Sequence, residues 1–316
     1  MIEELKEITF EITNQCNLRC KICSIWKEKE KRILHLDQIK KVLESIHNPV
    51  TVSLTGGEPF LHPQINQIYR YLFKLFLKKK VKSIDISTNG YSTKILQFMK
   101  INQNYLQPLS FSISLDGVKE THDLQRGKKG AFENTLKNIL DIKKYNIPIT
   151  LKFVISKINY RDLMKIYKLS KKINIPLAVK LVERVPNYYH RSEKRKKILW
   201  NKKEIEFIKK TFEDILKDLK NVRNKFLIFA FLNIKHFIEE NNLNFIKRCL
   251  TPKYSLFITS YGKIYNCLYQ ESIGNIKDWP NLNWEKARKI LQNALKGICP
   301  KCLSYHGYLK EFNVKH

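Results

Sequence analysis

The sequence predicts an α/β fold, a partial (β/α)6 barrel followed by a small hairpin–helix module, and three observations carry that prediction. Short apolar, strand-like runs alternate with helical stretches from about residue 8 to residue 182, the pattern of a parallel sheet with crossover helices. Turn motifs follow the strand-like runs at their carboxyl ends, where such sheets bind ligands. The texture then changes after residue 183 and again near Cys249.

Taken in order, "ITFEIT" (8–13) leads into a cysteine-bearing loop and a helix near 37–46, and "TVSLT" (51–55) leads to "GGEP" and a helix from about 63 to 79. "SIDIST" (83–88) precedes "NG" and another helix, and "LSFSISLDG" (109–117) precedes a helix from about 131 to 145. "ITLKFVIS" (149–156) precedes one from about 160 to 173, and "PLAVKLV" (176–182) closes the series. Apolar runs this continuous imply strands buried on both faces. Residues 185–203 are polar and aromatic without periodicity, whereas Ile205, Ile208, Phe212, Ile215, Leu216 and Leu219 recur at helical spacing, a core-facing stripe. "SLFITSYGKIYNC" (255–267) reads as a hairpin turning at Tyr261-Gly262, with a helix near 283–297 and then "CPKC". The organisation expected is therefore 1–183 as the barrel core, 184–245 as a helical linker region and 246–316 as the C-terminal module.

A chain of 316 residues that is 43% hydrophobic can bury a substantial core. The opening "MIEELKEITF" carries acids and lacks the basic and apolar regions of a secretory signal. The longest apolar run, "FLIFAFLNI" (226–234), falls well short of the roughly 18 residues a bilayer span needs. A cytoplasmic protein with no membrane partner is expected. The formal charge of +30 would suit nucleic acid, but lysines are spread over most predicted helices. They cluster mainly in "HRSEKRKKILWNKK" (190–203), for which a solvated loop is the preferred reading.

Seven cysteines in a reducing compartment point to metal or redox chemistry rather than disulfides. "TNQCNLRCKICSIW" (13–26) places Cys16, Cys20 and Cys23 within eight positions, with no histidine or further cysteine beside them. Structural zinc requires four ligands. A [4Fe–4S] cube held by three thiolates instead leaves one iron open to a cofactor or substrate. The other four, Cys249, Cys267, Cys299 and Cys302, satisfy tetrahedral zinc as well as a cluster on ligand count alone.

These motifs together resemble the radical S-adenosylmethionine (SAM) superfamily, whose signature is Cys-x3-Cys-x2-Cys after the first strand of a TIM-like partial barrel. The resemblance implies that Cys16, Cys20 and Cys23 bind a [4Fe–4S] cluster and that Gly56-Gly57-Glu58-Pro59 hold the amino group of SAM. It places "STNG", with Thr88 and Asn89, and "SISLDG", with Ser114 and Asp116, among the ribose- and methionine-contacting strand ends. Arg126 in "HDLQRG" matches an arginine that pairs with the methionine carboxylate, a role suited to its bidentate fork. One departure stands out: the position before the third cysteine is usually aromatic, and here it is Ile22, so adenine packing falls to Ile22 or to a residue such as Trp26.

Cys249, Cys267, Cys299 and Cys302 resemble the start of the SPASM domain of peptide- and sulfatase-maturating enzymes, but without the three further cysteines of a full SPASM domain, and so look more like the shortened "twitch" form found in 2-deoxy-scyllo-inosamine dehydrogenase. That likeness implies a second, auxiliary [4Fe–4S] cluster. The implied chemistry is reductive cleavage of SAM to a 5′-deoxyadenosyl radical, hydrogen abstraction from an unactivated C–H, and transfer of the substrate's electron to the auxiliary cluster. The expected function is an oxidoreductase acting on a small polar metabolite such as a sugar or cyclitol, with a peptide as the alternative substrate and an electron donor such as flavodoxin or ferredoxin. With the first strand near residue 7, no N-terminal peptide-recognition domain is expected, and a peptide substrate would call for a separate recognition protein. An RNA-modifying radical enzyme, and a non-catalytic scaffold, are the competing readings. Arg184, Tyr188, Tyr189 and His190 are candidate pocket residues, with a mobile loop as the plain alternative, and His62 is expected to help start the helix after "GGEP".

Overall fold

The computed structural model describes residues 2–182, 200–219 and 249–296. Six parallel strands, β1 (Glu7–Thr13), β2 (Val50–Gly56), β3 (Val81–Thr88), β4 (Leu109–Ser114), β5 (Ile149–Ile155) and β6 (Leu177–Leu181), lie side by side in sequence order. Helices α1 (Leu36–Glu44), α2 (Ile65–Leu77), α3 (Lys94–Ile101), α4 (Lys119–Arg126), α5 (Ala131–Lys143) and α6 (Leu163–Lys172) make the crossovers. The sheet is open, as a partial barrel requires, and its β1 edge continues into β7 (Ser255–Ile258), which pairs parallel to β1. Strand β8 (Lys263–Tyr265) returns antiparallel to β7 and completes the predicted hairpin. Barrel and C-terminal segment thus share one sheet.

The strands are not apolar on both faces. Ile8, Phe10 and Ile12 of β1, Ile84 and Ile86 of β3, and Leu151 and Phe153 of β5 are fully buried. The alternate residues Glu7, Thr9, Asp85, Ser87 and Lys152 line a cavity of about 550 Å³. Side chains alternate faces along a strand, so one face packs the helices while the other encloses polar space. The apolar half is enough to bind the helices: α2 buries Ile65, Ile68, Tyr69, Leu72 and Leu75 along one stripe. Its start is set by His62, whose Nδ1 accepts from the Gln64 N–H at 3.0 Å while Nε2 contacts the Leu34 carbonyl at 3.0 Å, as expected for that histidine.

Helix α4 has no counterpart in the sequence reading. Its buried residues are His122, Gln125 and Arg126, a polar face that produces no hydrophobic period. It ends at Gly127 in the left-handed conformation, φ +64°. Helix α7 (Lys202–Leu219) buries Ile208, Phe212, Ile215 and Leu219, the predicted stripe, and Tyr167 on α6 donates to Asp218 at 2.6 Å. After a single turn, α8 (Thr251–Tyr254), and the hairpin, α9 spans Trp284–Leu295. Cys299, Cys302, Arg184, Tyr188, Tyr189 and His190 lie outside the described residues, as does most of the basic run 190–203.

Candidate active site

The loop that leaves β1 carries Cys20, buried, and Cys16 and Cys23, half-buried. Two neighbouring elements hold its backbone. From β2, Gly57 N–H donates to Thr13 O and Glu58 N–H to Gln15 O, both at 2.8 Å. At the end of α4, Arg126 O accepts from Arg19 N–H at 3.1 Å and Gln125 O from Lys21 N–H at 2.8 Å. Side-chain donors also reach the sulfurs, Asn89 Nδ2 lying 3.9 Å from Cys16 Sγ and Arg126 Nη1 3.8 Å from Cys20 Sγ. Burial pushes the Cys16 thiol up to about 12, with Cys20 and Glu58 adding to it and the Leu18 N–H opposing. Ile22 is half-buried in the same loop, and the Trp26 Nε1–H donates to the Cys20 carbonyl at 3.2 Å.

Glu58 is fully buried. Its carboxylate accepts from Thr88 Oγ1 at 2.8 and 3.0 Å, Asn89 N–H at 2.9 Å and Phe60 N–H at 3.2 Å. The acid of "GGEP" and the Thr-Asn of "STNG", thirty residues apart in sequence, therefore form one cluster at the ends of β2 and β3. Burial raises Glu58 to about 7 despite those donors. A carboxyl raised in the folded state stabilises most below its unfolded value and loses that contribution as pH rises through the folded one. Relative to Glu58→Gln, the wild type is therefore expected to lose on the order of 3 kcal/mol between pH 4.5 and 7.5. The difference between the two urea curves is the measurement needed, because His62 and His122, lowered by burial to about 4 and about 2, titrate in the opposite sense. A difference that does not vary with pH would refute the assignment.

Asp116 and Arg126 form a buried pair, Arg126 Nη2 lying 2.5 Å from Asp116 Oδ2. Asp116 Oδ1 also accepts from Val154 N–H at 2.7 Å. Arg126 Nε is buried with no hydrogen-bond partner among the described residues, so the guanidinium keeps donor capacity beyond the pair. Ser114, half-buried at the end of β4, completes the set of predicted strand-end residues.

Below this rim lies the cavity. Asp85 Oδ1 accepts from Ser110 and Ser112 hydroxyls, each at 3.1 Å, and Lys152 Nζ donates to Ser87 Oγ at 3.1 Å, which in turn lies 3.4 Å from Asp85 Oδ2. Burial lowers the Lys152 pKa, Asp85 and Glu7 oppose that shift, and Lys180 reinforces it. The lining also includes Cys249, Phe257, Tyr265 and Cys267. Sequence reasoning passed over Asp85, Ser87, Lys152 and Lys180. The available signal was a single charge at a period-2 position within an apolar run, Asp85 in "SIDIST", Lys152 in "ITLKFVIS" and Lys180 in "PLAVKLV".

The sequence model of the radical SAM superfamily matches residues 10–170, half of the chain. The chain belongs to the radical SAM superfamily. Among curated relatives of this radical SAM protein, the antilisterial bacteriocin subtilosin biosynthesis protein AlbA of Bacillus subtilis (strain 168) is 34% identical over 143 residues, 44% of this chain and 31% of AlbA. The match thus spans about a third of that relative. The AdoMet-dependent heme synthase of Methanosarcina barkeri (strain Fusaro / DSM 804) is 28% identical over 318 residues, 93% of this chain and 87% of the synthase. In fold, the solved structure of native anSMEcpe with bound AdoMet and Cp18Cys peptide superimposes with a TM-score of 0.67 at 20% identity, over 92% of this chain and 83% of that one.

The radical SAM residues fit the cofactors that the family implies. Three thiols share one loop, and side-chain N–H donors lie 3.9 Å from Cys16 Sγ and 3.8 Å from Cys20 Sγ. Arg126 Nε is a buried donor available to an anionic group. The glycines of "GGEP" press their backbone against the cysteine loop. Among the described residues, no helix is long and apolar enough to cross a membrane.

Proposed function

We propose that this radical SAM enzyme carries out a net two-electron oxidation at an unactivated C–H position, with Cys249, Cys267, Cys299 and Cys302 holding a second [4Fe–4S] cluster. The observation that supports this reading is the position of Cys249 and Cys267 on the wall of the cavity that also holds Asp85, Ser87, Ser112 and Lys152. When bound, the clusters supply the electron that breaks the sulfonium C–S bond of SAM and a sink for the electron the substrate gives up. The chain's own residues bind and orient. Gly56, Gly57 and Pro59 would hold the amino group of SAM, Ser114 would lie among the strand ends at its ribose and methionine, and Ile22 would pack its adenine; Glu58 locks Thr88 and Asn89 in place, and Arg126, steadied by Asp116, would meet the carboxylate. Lys152, lowered by burial and tied through Ser87 to Asp85, is placed to take the proton that oxidation of an alcohol releases.

A wall of hydroxyls and charges in a cavity of about 550 Å³ suits a small polar group such as a sugar or cyclitol. A second reading, oxidation within a peptide side chain, is favoured by the similarity to AlbA, named for bacteriocin biosynthesis, and by the peptide bound in the anSMEcpe structure. Either chemistry belongs in a reducing cytoplasm with a flavodoxin- or ferredoxin-type donor. The test is anaerobic turnover with SAM, reductant, and panels of cyclitols and peptides. The expected result is one 5′-deoxyadenosine per product molecule two hydrogens lighter. In a Cys249→Ala/Cys267→Ala variant, deoxyadenosine should still form while the lighter product disappears. A rearranged product of unchanged mass from the wild type would sink the oxidation reading.

A further inference from the structure

The far end of the chain closes the loop that carries the first three cysteines. Asn14 ties the two feet of that loop together: its N–H donates to Arg32 O at 3.1 Å, its Oδ1 accepts from Arg32 N–H at 2.9 Å, and its Nδ2 donates to Glu30 O at 2.7 Å. Across both feet lies Tyr261, from the tip of the β7–β8 hairpin. Its hydroxyl donates to Glu28 Oε2 at 2.9 Å and lies 3.4 Å from Asn14 Nδ2, with the Arg32 guanidinium 5.9 Å from its ring centroid. The preceding residue anchors the tip to the barrel, since Ser260 N–H and Oγ both donate to Glu11 Oε1, at 3.0 and 2.5 Å, and Glu11 is fully buried in β1. Burial and the adjoining Glu28 raise the Tyr261 pKa, which keeps the phenol a donor. The same hairpin ends at Cys267.

We propose that Tyr261 is a positioning residue for SAM cleavage, setting through Glu28 and Asn14 the geometry of the loop that presents Cys16, Cys20 and Cys23, and so coupling the C-terminal module to the first cluster. The oxidation reading is not needed for this, because SAM cleavage without substrate reports on the first cluster alone. Tyr261→Phe keeps the ring and removes the hydroxyl, and Glu28→Gln weakens the same contact from the loop side. In the reconstituted full chain both variants should retain wild-type iron and melting temperature. SAM-dependent changes in the EPR spectrum of the reduced protein isolate the first cluster, and these should differ from wild type in both variants. Substrate-free deoxyadenosine formation should fall about tenfold, less than the ~10²-fold that a full ångström of misplacement costs. The double variant should be no worse than either single one. Unchanged spectra and cleavage rates in both variants overturn the proposal, as do defects that add in the double variant. Should Tyr261→Phe lose iron, Glu28→Gln decides between the same two outcomes.

Discussion

Replacing Cys16, Cys20 and Cys23 together by alanine is expected to abolish SAM cleavage and, if the proposed second cluster is present, to lower iron from about eight to about four atoms per chain, the loss of one cube. Among the described residues, nothing else near the loop offers a substitute for these ligands. The Glu58 carboxylate is taken by the Thr88, Asn89 and Phe60 donors, and Asn89 and Arg126 turn N–H groups toward the sulfurs. Without sulfur, Arg126 keeps its ion pair with Asp116 and the fold remains, so the loss should be of metal rather than of structure. The complementary Cys249→Ala/Cys267→Ala change should also lower iron by about half while leaving deoxyadenosine formation in place. Iron and sulfide quantitation with chromatographic assay of deoxyadenosine measures both. Full iron content in the triple variant would remove the basis for placing the first cluster there.

Much of this arrangement was legible in the sequence wherever one residue's chemistry sufficed. Cysteine spacing marked the loop, and "GGEP" and "STNG" marked strand ends because glycine and asparagine make turns there. The joining of those motifs was not legible. That Glu58 is held by Thr88 and Asn89 depends on β2 and β3 being neighbours in parallel register. Helix α4 escaped because its inward face, His122, Gln125 and Arg126, is polar, and periodicity detects only apolar stripes. The polar interior escaped for the opposite reason: Lys152 and Asp85 sit among residues apolar enough to make the whole strand read as core. The contact between Tyr261 and Glu28 spans 233 residues, and local pattern carries no information at that range.

Gly57→Ala is expected to damage both stability and SAM cleavage. A Cβ at position 57 would lie 2.2 Å from Gln15 O, 2.6 Å from Gln15 C and 2.8 Å from Asn14 O. All three are backbone atoms at the foot of the cysteine loop, so no side chain can swing away to make room. Relief requires β2 and the loop to separate, which breaks the 2.8 Å bonds from Gly57 N–H to Thr13 O and from Glu58 N–H to Gln15 O. Overpacking of this kind costs about 1–3 kcal/mol, and each lost hydrogen bond about 1 more. A total on the order of 4 kcal/mol is expected in urea unfolding of the metal-free protein. The displacement also carries Cys16, adjacent to Gln15, and Glu58, so SAM cleavage should fall by ~10²-fold or more. Gly130→Ala provides the control, since its nearest neighbour would be Asn134 Nδ2 at 3.7 Å and only its φ of +76° is unfavourable. That change should cost about 1 kcal/mol and leave SAM cleavage alone. Equal stability losses in the two variants, or a Gly57→Ala protein that cleaves SAM at the wild-type rate, would show that the approach of β2 to the cysteine loop is not what the glycine is there to permit.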